Sequence, residues 1–172
     1  MYSGNASSPN SGASTNSLYN DVAAVAKDEK LWSNILKMAS FFKNGDDFTK
    51  LITLISENIS INSKVIHSRL FSFTASGGKA RIIANVDWVT QTALSGIHYT
   101  LFAILKSATA DFTFDHKAGT PHVLSTERKE GYNFYSIDLS AATDRLPRIL
   151  QGKLIAALFT LLGFDGDQVE KA

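Results

Sequence analysis

The sequence contains no cysteine, which excludes disulfides, thiolate metal centres, iron–sulfur clusters and cysteine nucleophiles together. Proline is scarce, at three residues, and the eleven glycines follow no period, so neither a collagen-like fibre nor a Pro/Gly-rich linker describes the chain. Long hydrophobic runs are missing too. The longest, residues 154–164, is about half of the ~20 residues that a spanning helix requires. No targeting signal is visible at the N-terminus: there is no secretory hydrophobic stretch, and the first arginine is Arg69, which leaves no Arg-rich amphipathic segment of the transit-peptide kind. The expectation is a water-soluble chain without a membrane segment.

What is present suffices for one core. A length of 172 residues with 44% hydrophobic and 19% charged side chains fits one domain of ordinary size or a piece of a larger one. Charge nearly cancels, with 17 Lys/Arg against 16 Asp/Glu, but it is spread unevenly. Residues 61–153 hold eleven Lys/Arg, seven Asp/Glu and all four His, whereas the remainder holds six and nine. A mildly basic middle can meet phosphate, and an imbalance of this size also arises in ordinary soluble domains.

Three stretches divide the chain. Residues 1–17 are rich in Ser, Asn and Gly and carry no charge, which reads as a flexible segment with order beginning near Leu18. Residues 18–131 start with a helical stripe, Val22, Val25, Trp32, Ile35, Met38 and Phe42, in one helix or in two broken near Asp28. A second stripe, Phe48, Leu51, Ile52, Ile55 and Ile59, opens at Asp46-Asp47, where carboxylates suit a helix N-terminus. The period then changes. Two β-prone runs, 70–74 and 81–84, flank Gly77-Gly78 and predict a hairpin. Val89, Ala93, Ile97, Leu101 and Leu105 predict a helix over 88–107, and a polar loop is expected over 111–129.

Residues 132–172 form the last stretch. The aromatic and β-branched run 132–137 reads as a strand ending at Asp138, and 147–162 reads as an apolar helix stopped by Gly163. The small, polar connection 139–144 holds Thr143 and Asp144 as candidate N-caps. The expected fold class is α+β, with helices around a small antiparallel sheet.

Two residue pairs could carry chemistry. Asp138 and Asp144 stand at a predicted strand end and six positions later, before a helix, and would face one crevice. Magnesium takes oxygen ligands and commonly uses one or two protein carboxylates plus substrate phosphates; a turn residue and a helix cap are the structural reading of the same pair. Lys79 and Arg81, two apart on a predicted strand, project from one face just after two glycines that allow close approach. They could clamp a triphosphate or merely solvate an edge strand. This is no Walker loop, because Ala80 stands where Ser/Thr is needed and Phe73 where the first Gly is needed. His116 and His122 with Asp111 and Asp115 match no metal-ligand spacing.

The run Ser136-Ile137-Asp138-Leu139-Ser140-Ala141-Ala142-Thr143-Asp144-Arg145-Leu146-Pro147 closely resembles the first palm motif of mitovirus RNA-dependent RNA polymerases. Gly78-Lys79-Ala80-Arg81-Ile82-Ile83-Ala84, leading to Val86-Asp87-Trp88-Val89-Thr90-Gln91, resembles that family's basic fingers motif, and Thr113-Phe114-Asp115 its next signature. The opening Ser3-Gly4-Asn5 to Asn10-Ser11, with Asp21-Val22-Ala23, is similar to the start of the family's homologous region, so the resemblance covers nearly the whole chain. Two positions depart from the family's common residues: Phe112 replaces Gly and His116 replaces Gln.

The resemblance implies an incomplete right-hand polymerase, fingers plus the start of the palm, that copies viral RNA from nucleoside triphosphates. Lys79 and Arg81 would hold the triphosphate, and Asp138 the catalytic Mg2+, or Mn2+ in its place. Asp144 would sense the ribose 2′-hydroxyl. A 3′-hydroxyl would attack the α-phosphate between two metals. The family's Ser/Thr-Gly helix motif and Gly-Asp-Asp hairpin would lie beyond Ala172. Gly45-Asp46-Asp47 has the tripeptide without its flanking strands, so it reads as a helix start. The expectation is that these residues alone incorporate no nucleotide. The alternative is a non-catalytic remnant of such a gene, either a weak RNA-binding protein or a reading frame without function. Family membership also implies a mitochondrial location, with RNA template and product as partners.

Overall fold

The computed structural model describes residues 8–10, 12–60, 64–125, 135–140 and 142–164. They fall into two compact units, one within Met1–His98 and the other within Tyr99–Glu170. The fold class is α+β, as expected: among the described residues, helices accompany one two-stranded antiparallel sheet.

In the first unit the apolar stripes form helices α1 (Ser14–Ala26), α2 (Glu29–Ala39) and α3 (Gly45–Glu57). The expected break near Asp28 is a helix cap, because the Asp28 carboxylate accepts the Leu31 N–H at 2.9 Å and satisfies a donor that the first turn leaves orphaned. Asp46 and Asp47 lie in the first turn of α3, where the helix dipole favours negative charge. Gly45-Asp46-Asp47 is therefore a helix start and not a strand turn. Val22, Val25, Ile35, Met38, Ile52 and Ile55 meet Val89 and Ala93 of α4 (Trp88–Ser107) in one buried cluster. Two glycines allow that closeness. A Cβ on Gly45 would fall on the Ala39 carbonyl, and one on Gly96 would enter the Phe42 ring.

The hairpin pairs β1 (Ser68–Thr74) with β2 (Ala80–Val86) in antiparallel register, Phe71 opposite Ile83 and Phe73 opposite Arg81. Its turn uses Gly77 and Gly78 at φ 88° and 77°, a region that side-chain-bearing residues seldom adopt. Both faces stay open to solvent: Leu70 and Ile82 are exposed on one, Phe71 and Ile83 on the other.

The first helix begins earlier than the apolar pattern predicts. α1 starts at Ser14 rather than Leu18, and Ser8, Pro9 and Ser17 are buried. Periodicity cannot register this segment, because it is held by polar side chains.

Within the second unit, the polar loop expected over 111–129 instead contains helix α5 (His116–Ser125). Asp115 accepts the Ala118 N–H at its start, and Phe112 packs on His122 with ring centres 5.1 Å apart. Pro121 inside the helix and the lack of an apolar stripe concealed it. The strand expected over 132–137 is not formed where it is described: 135–139 has no regular structure, and 132–134 lie outside the described residues. A strand requires a hydrogen-bonding neighbour, and no described strand pairs with this one. Tyr135 and Ile137 are each 82% exposed.

Thr143 and Asp144 lie within a single turn, α6 (Ala142–Arg145), and α7 (Arg148–Leu161) opens behind Pro147 without a side-chain cap. Neither residue is therefore the N-cap of α7. The end of α7 follows expectation. Gly163, at φ 88°, donates to the Thr160 carbonyl at 3.0 Å, and Phe164 N–H to the Phe159 carbonyl at 2.9 Å. This is a Schellman cap, closed by contact between the Phe159 and Phe164 rings. No described helix is long and apolar enough to cross a membrane.

Candidate functional site

The hairpin gathers the basic residues. Lys79 closes its turn, with the Lys79 carbonyl accepting the Ala75 N–H at 2.8 Å. Strand pairing begins at Ala80, so Lys79 belongs to the turn and only Arg81 to the strand. Alternate residues of a strand share a face, as do directly paired residues of an antiparallel ladder. Arg69, Phe71, Phe73, Arg81, Ile83 and Asn85 therefore lie on one face. Arg69, Lys79 and Arg81 are exposed, and none forms an ion pair among the described residues. Three exposed cations without ion-pair partners among the described residues can meet an external anion. Beside the lower half of this face is an open cavity of about 500 Å³ lined by Ser8, Arg69, Phe71, Ile83, Asn85 and Gln91.

Beneath the hairpin lies a polar joint that sequence reasoning missed. Asp21 and Asp87 are fully buried. The Asp21 Oδ1 accepts Ser8 Oγ–H at 2.7 Å and Asn10 Nδ2–H at 2.8 Å. Its Oδ2 accepts the Trp88 backbone N–H at 2.9 Å and Ser17 Oγ–H at 3.4 Å. Asp87 stands immediately before α4 and accepts Thr90 N–H at 2.7 Å and Thr90 Oγ1–H at 2.9 Å. Burial pushes the Asp87 carboxyl above its usual range. The Thr90 hydrogen bonds oppose that shift, the charge of Asp21 adds to it, and His67 opposes it. The His67 Nδ1 lies 4.0 Å from Asp87 Oδ2 and makes no hydrogen bond among the described residues.

One part of this joint had a sequence signal. Asp87 just ahead of a helical stripe is a preferred N-cap residue. Asp21 stood out only within the family resemblance, with no local pattern for this role, because its donors come from positions 8, 10, 17 and 88 and only the fold assembles them.

In the second unit, Asp138 is exposed within the irregular segment 135–140, and Asp144 lies in α6. The described residues contain no group of three or more His, Cys, Asp or Glu able to hold a metal. Asp111 and Asp115 accept the Thr113 and Ala118 N–H groups, and His122 packs on Phe112, so these side chains serve local structure.

The family model for the mitovirus RNA-dependent RNA polymerase matches residues 1–164, and the chain belongs to that family. It is 38% identical over 82 residues to the RNA-directed RNA polymerase of Cryphonectria parasitica mitovirus 1 (strain American chestnut tree/New Jersey/NB631), a stretch covering 48% of this chain and 10% of that protein. The alignment thus spans a small part of the relative's length. No solved structure matches the chain.

Proposed function

We propose that the chain is the fingers region and the beginning of the palm of a mitovirus RNA-directed RNA polymerase, with the boundary near 131/132, working on RNA and nucleoside triphosphates in mitochondria. The observation that carries this reading is the exposed Lys79 and Arg81, without ion-pair partners among the described residues, at the tip of a solvent-open hairpin. Guanidinium offers a planar fork of donors and ammonium a compact point charge, a combination suited to a polyphosphate. Family membership supplies the nucleotide context.

Asp138 is a hard oxygen donor open to solvent, which suits Mg2+, an ion that keeps several waters and needs few protein carboxylates. It would supply one ligand. When bound, the metal would neutralise phosphate charge; Mn2+ has the same ligand preference. Asp144 would accept a hydrogen bond from the ribose 2′-hydroxyl and so favour ribonucleotides over deoxyribonucleotides.

The test is titration of the chain with ATP and with dATP. Wild type should bind ATP, and the Lys79→Gln/Arg81→Gln double variant should bind about tenfold or more weakly. Asp144→Ala should narrow the difference between ATP and dATP while sparing ATP binding itself. Equal ATP affinity for wild type and the double variant would sink the reading.

A further inference from the structure

Among the described residues, the hydrogen bonds that tie the hairpin presenting Lys79 and Arg81 to the helices lie at its foot. From Ser68 to Ala84 every residue is exposed except the half-buried Ala75, so neither face is buried against the described helices. Its direction must be fixed where the chain enters and leaves it. Those two legs are tied through one carboxylate.

The leaving leg is held first. After β2, the Trp88 N–H donates to Asp21 Oδ2 at 2.9 Å, and Gln91 Nε2–H donates to the Val86 carbonyl at 2.6 Å. The entering leg is held through an intermediary. Asn10 donates from Nδ2 to Asp21 Oδ1 at 2.8 Å and to the Ile66 carbonyl at 3.0 Å, while its Oδ1 accepts the Ile66 N–H at 3.0 Å. One side-chain amide thus takes both backbone groups of Ile66, as a neighbouring strand would. The legs are joined directly as well, by Asp87 N–H to the His67 carbonyl at 2.8 Å. Ser8 fixes the intermediary, donating to Asp21 at 2.7 Å and accepting the Asn10 N–H at 3.1 Å.

We propose that Asp21, acting through Asn10, is a positioning residue that sets the direction in which the hairpin presents Lys79 and Arg81. The inference rests on the nucleotide-binding reading for what the tip holds, but not for the joint itself. The lever is long. The seven residues of β2 span roughly 20 Å, so a tilt of about 10° at the foot moves the tip by roughly 3 Å. That is as large as a hydrogen-bond length. Splitting the two oxygens between separate donor sets gives this buried carboxylate, whose hydrogen-bond donors among the described residues are all neutral, a role in this position. An amide cannot accept at both ends.

The experiment compares wild type, Asp21→Asn, Asn10→Ala, the Lys79→Gln/Arg81→Gln variant and Ile52→Val. Ile52 lies in the helical core and is not among the residues of the joint, and its variant is a mild destabiliser that controls for general loss of stability. Each protein is titrated with ATP, and amide hydrogen exchange is followed over residues 68–86. Asp21→Asn and Asn10→Ala should speed exchange throughout the hairpin and weaken ATP binding by about three- to tenfold. Both basic residues remain in place in these variants. Ile52→Val should change neither. If hairpin exchange in Asn10→Ala and Asp21→Asn matches that of Ile52→Val, the positioning role is overturned. If exchange rises but wild type binds ATP no better than the Lys79→Gln/Arg81→Gln variant, the nucleotide reading fails and the joint stands as the hairpin's support. Should Asp21→Asn not fold, Asn10→Ala decides the matter, since it leaves Asp21 and the start of α4 intact.

Discussion

The Asp21 carboxylate, in the second turn of α1, accepts the backbone N–H of Trp88, the first residue of α4, at 2.9 Å. Helix starts usually take their caps from the residue just before them. Here Asp87 fills that role toward Thr90, and Asp21 reaches across 67 positions to satisfy an orphan donor that Asp87 leaves. Two carboxylates therefore meet at one helix N-terminus, where the dipole favours negative charge.

That crowding gives a pH dependence. The folded-state pKa of Asp87 is raised above 3.8 by burial, with Asp21 adding to the shift. A raised carboxyl contributes stability that is fully present below the unfolded value of 3.8 and is lost as pH rises through the folded value. Wild type should therefore gain stability relative to Asp87→Asn as pH falls from neutrality toward about 4. At neutral pH the variant, which keeps an acceptor for the Thr90 N–H, should be nearly as stable as wild type. Urea denaturation of both proteins at several pH values checks this, and a constant difference between them would refute it.

The glycines separate by what surrounds them. Gly45→Ala should destabilise by about 1–3 kcal/mol, because its Cβ would meet a backbone carbonyl that cannot turn aside. Gly152→Ala, inside α7 with open space around its Cβ, should stabilise by about 0.5–1 kcal/mol. Urea midpoints of the two variants should shift in opposite directions.

Gly163 belongs to a third class. Nothing crowds its Cβ, but its φ of 88° lies in the left-handed region, which costs an L-residue about 1–2 kcal/mol. Gly163→Ala should fray the end of α7, seen as faster hydrogen exchange at the Gly163 and Phe164 amides that close the cap. Gly163→Asn should do so less, since Asn tolerates that region best after Gly.

How far the sequence could be read depended on the range of the forces involved. α1 to α4 were legible because a stripe such as Ile52 and Ile55 packs within its own helix period. The hairpin was legible from Gly77-Gly78 between β-prone runs, and the basic pair from Lys79 and Arg81 two positions apart. The Asp21 joint was not, because Ser8, Asn10 and Trp88 are neighbours only after folding. α5 escaped because local contacts around Phe112 and His122 support it in place of an apolar face. The strand expected at 132–137 shows the opposite case. Tyr135 and Ile137 have strand-like composition, yet pairing is a property of two segments and cannot be assigned to one.

The basic face of the hairpin carries the last expectation, for RNA rather than for nucleotide. Counterion release makes the logarithm of affinity fall linearly with the logarithm of salt concentration, with a slope of about −0.7 per phosphate contacted on a single strand. Arg69, Lys79 and Arg81 are the cations exposed on or beside that face without described ion-pair partners. Each single change to Gln should therefore reduce the slope by about 0.7 if that residue contacts a phosphate. Phe71→Leu removes an exposed ring between them and should weaken binding without altering the slope, because stacking releases no counterions. The measurement is fluorescence anisotropy of a labelled single-stranded RNA across a salt series for the four variants and wild type. A slope unchanged in all three charge variants would show that RNA is held elsewhere on the chain.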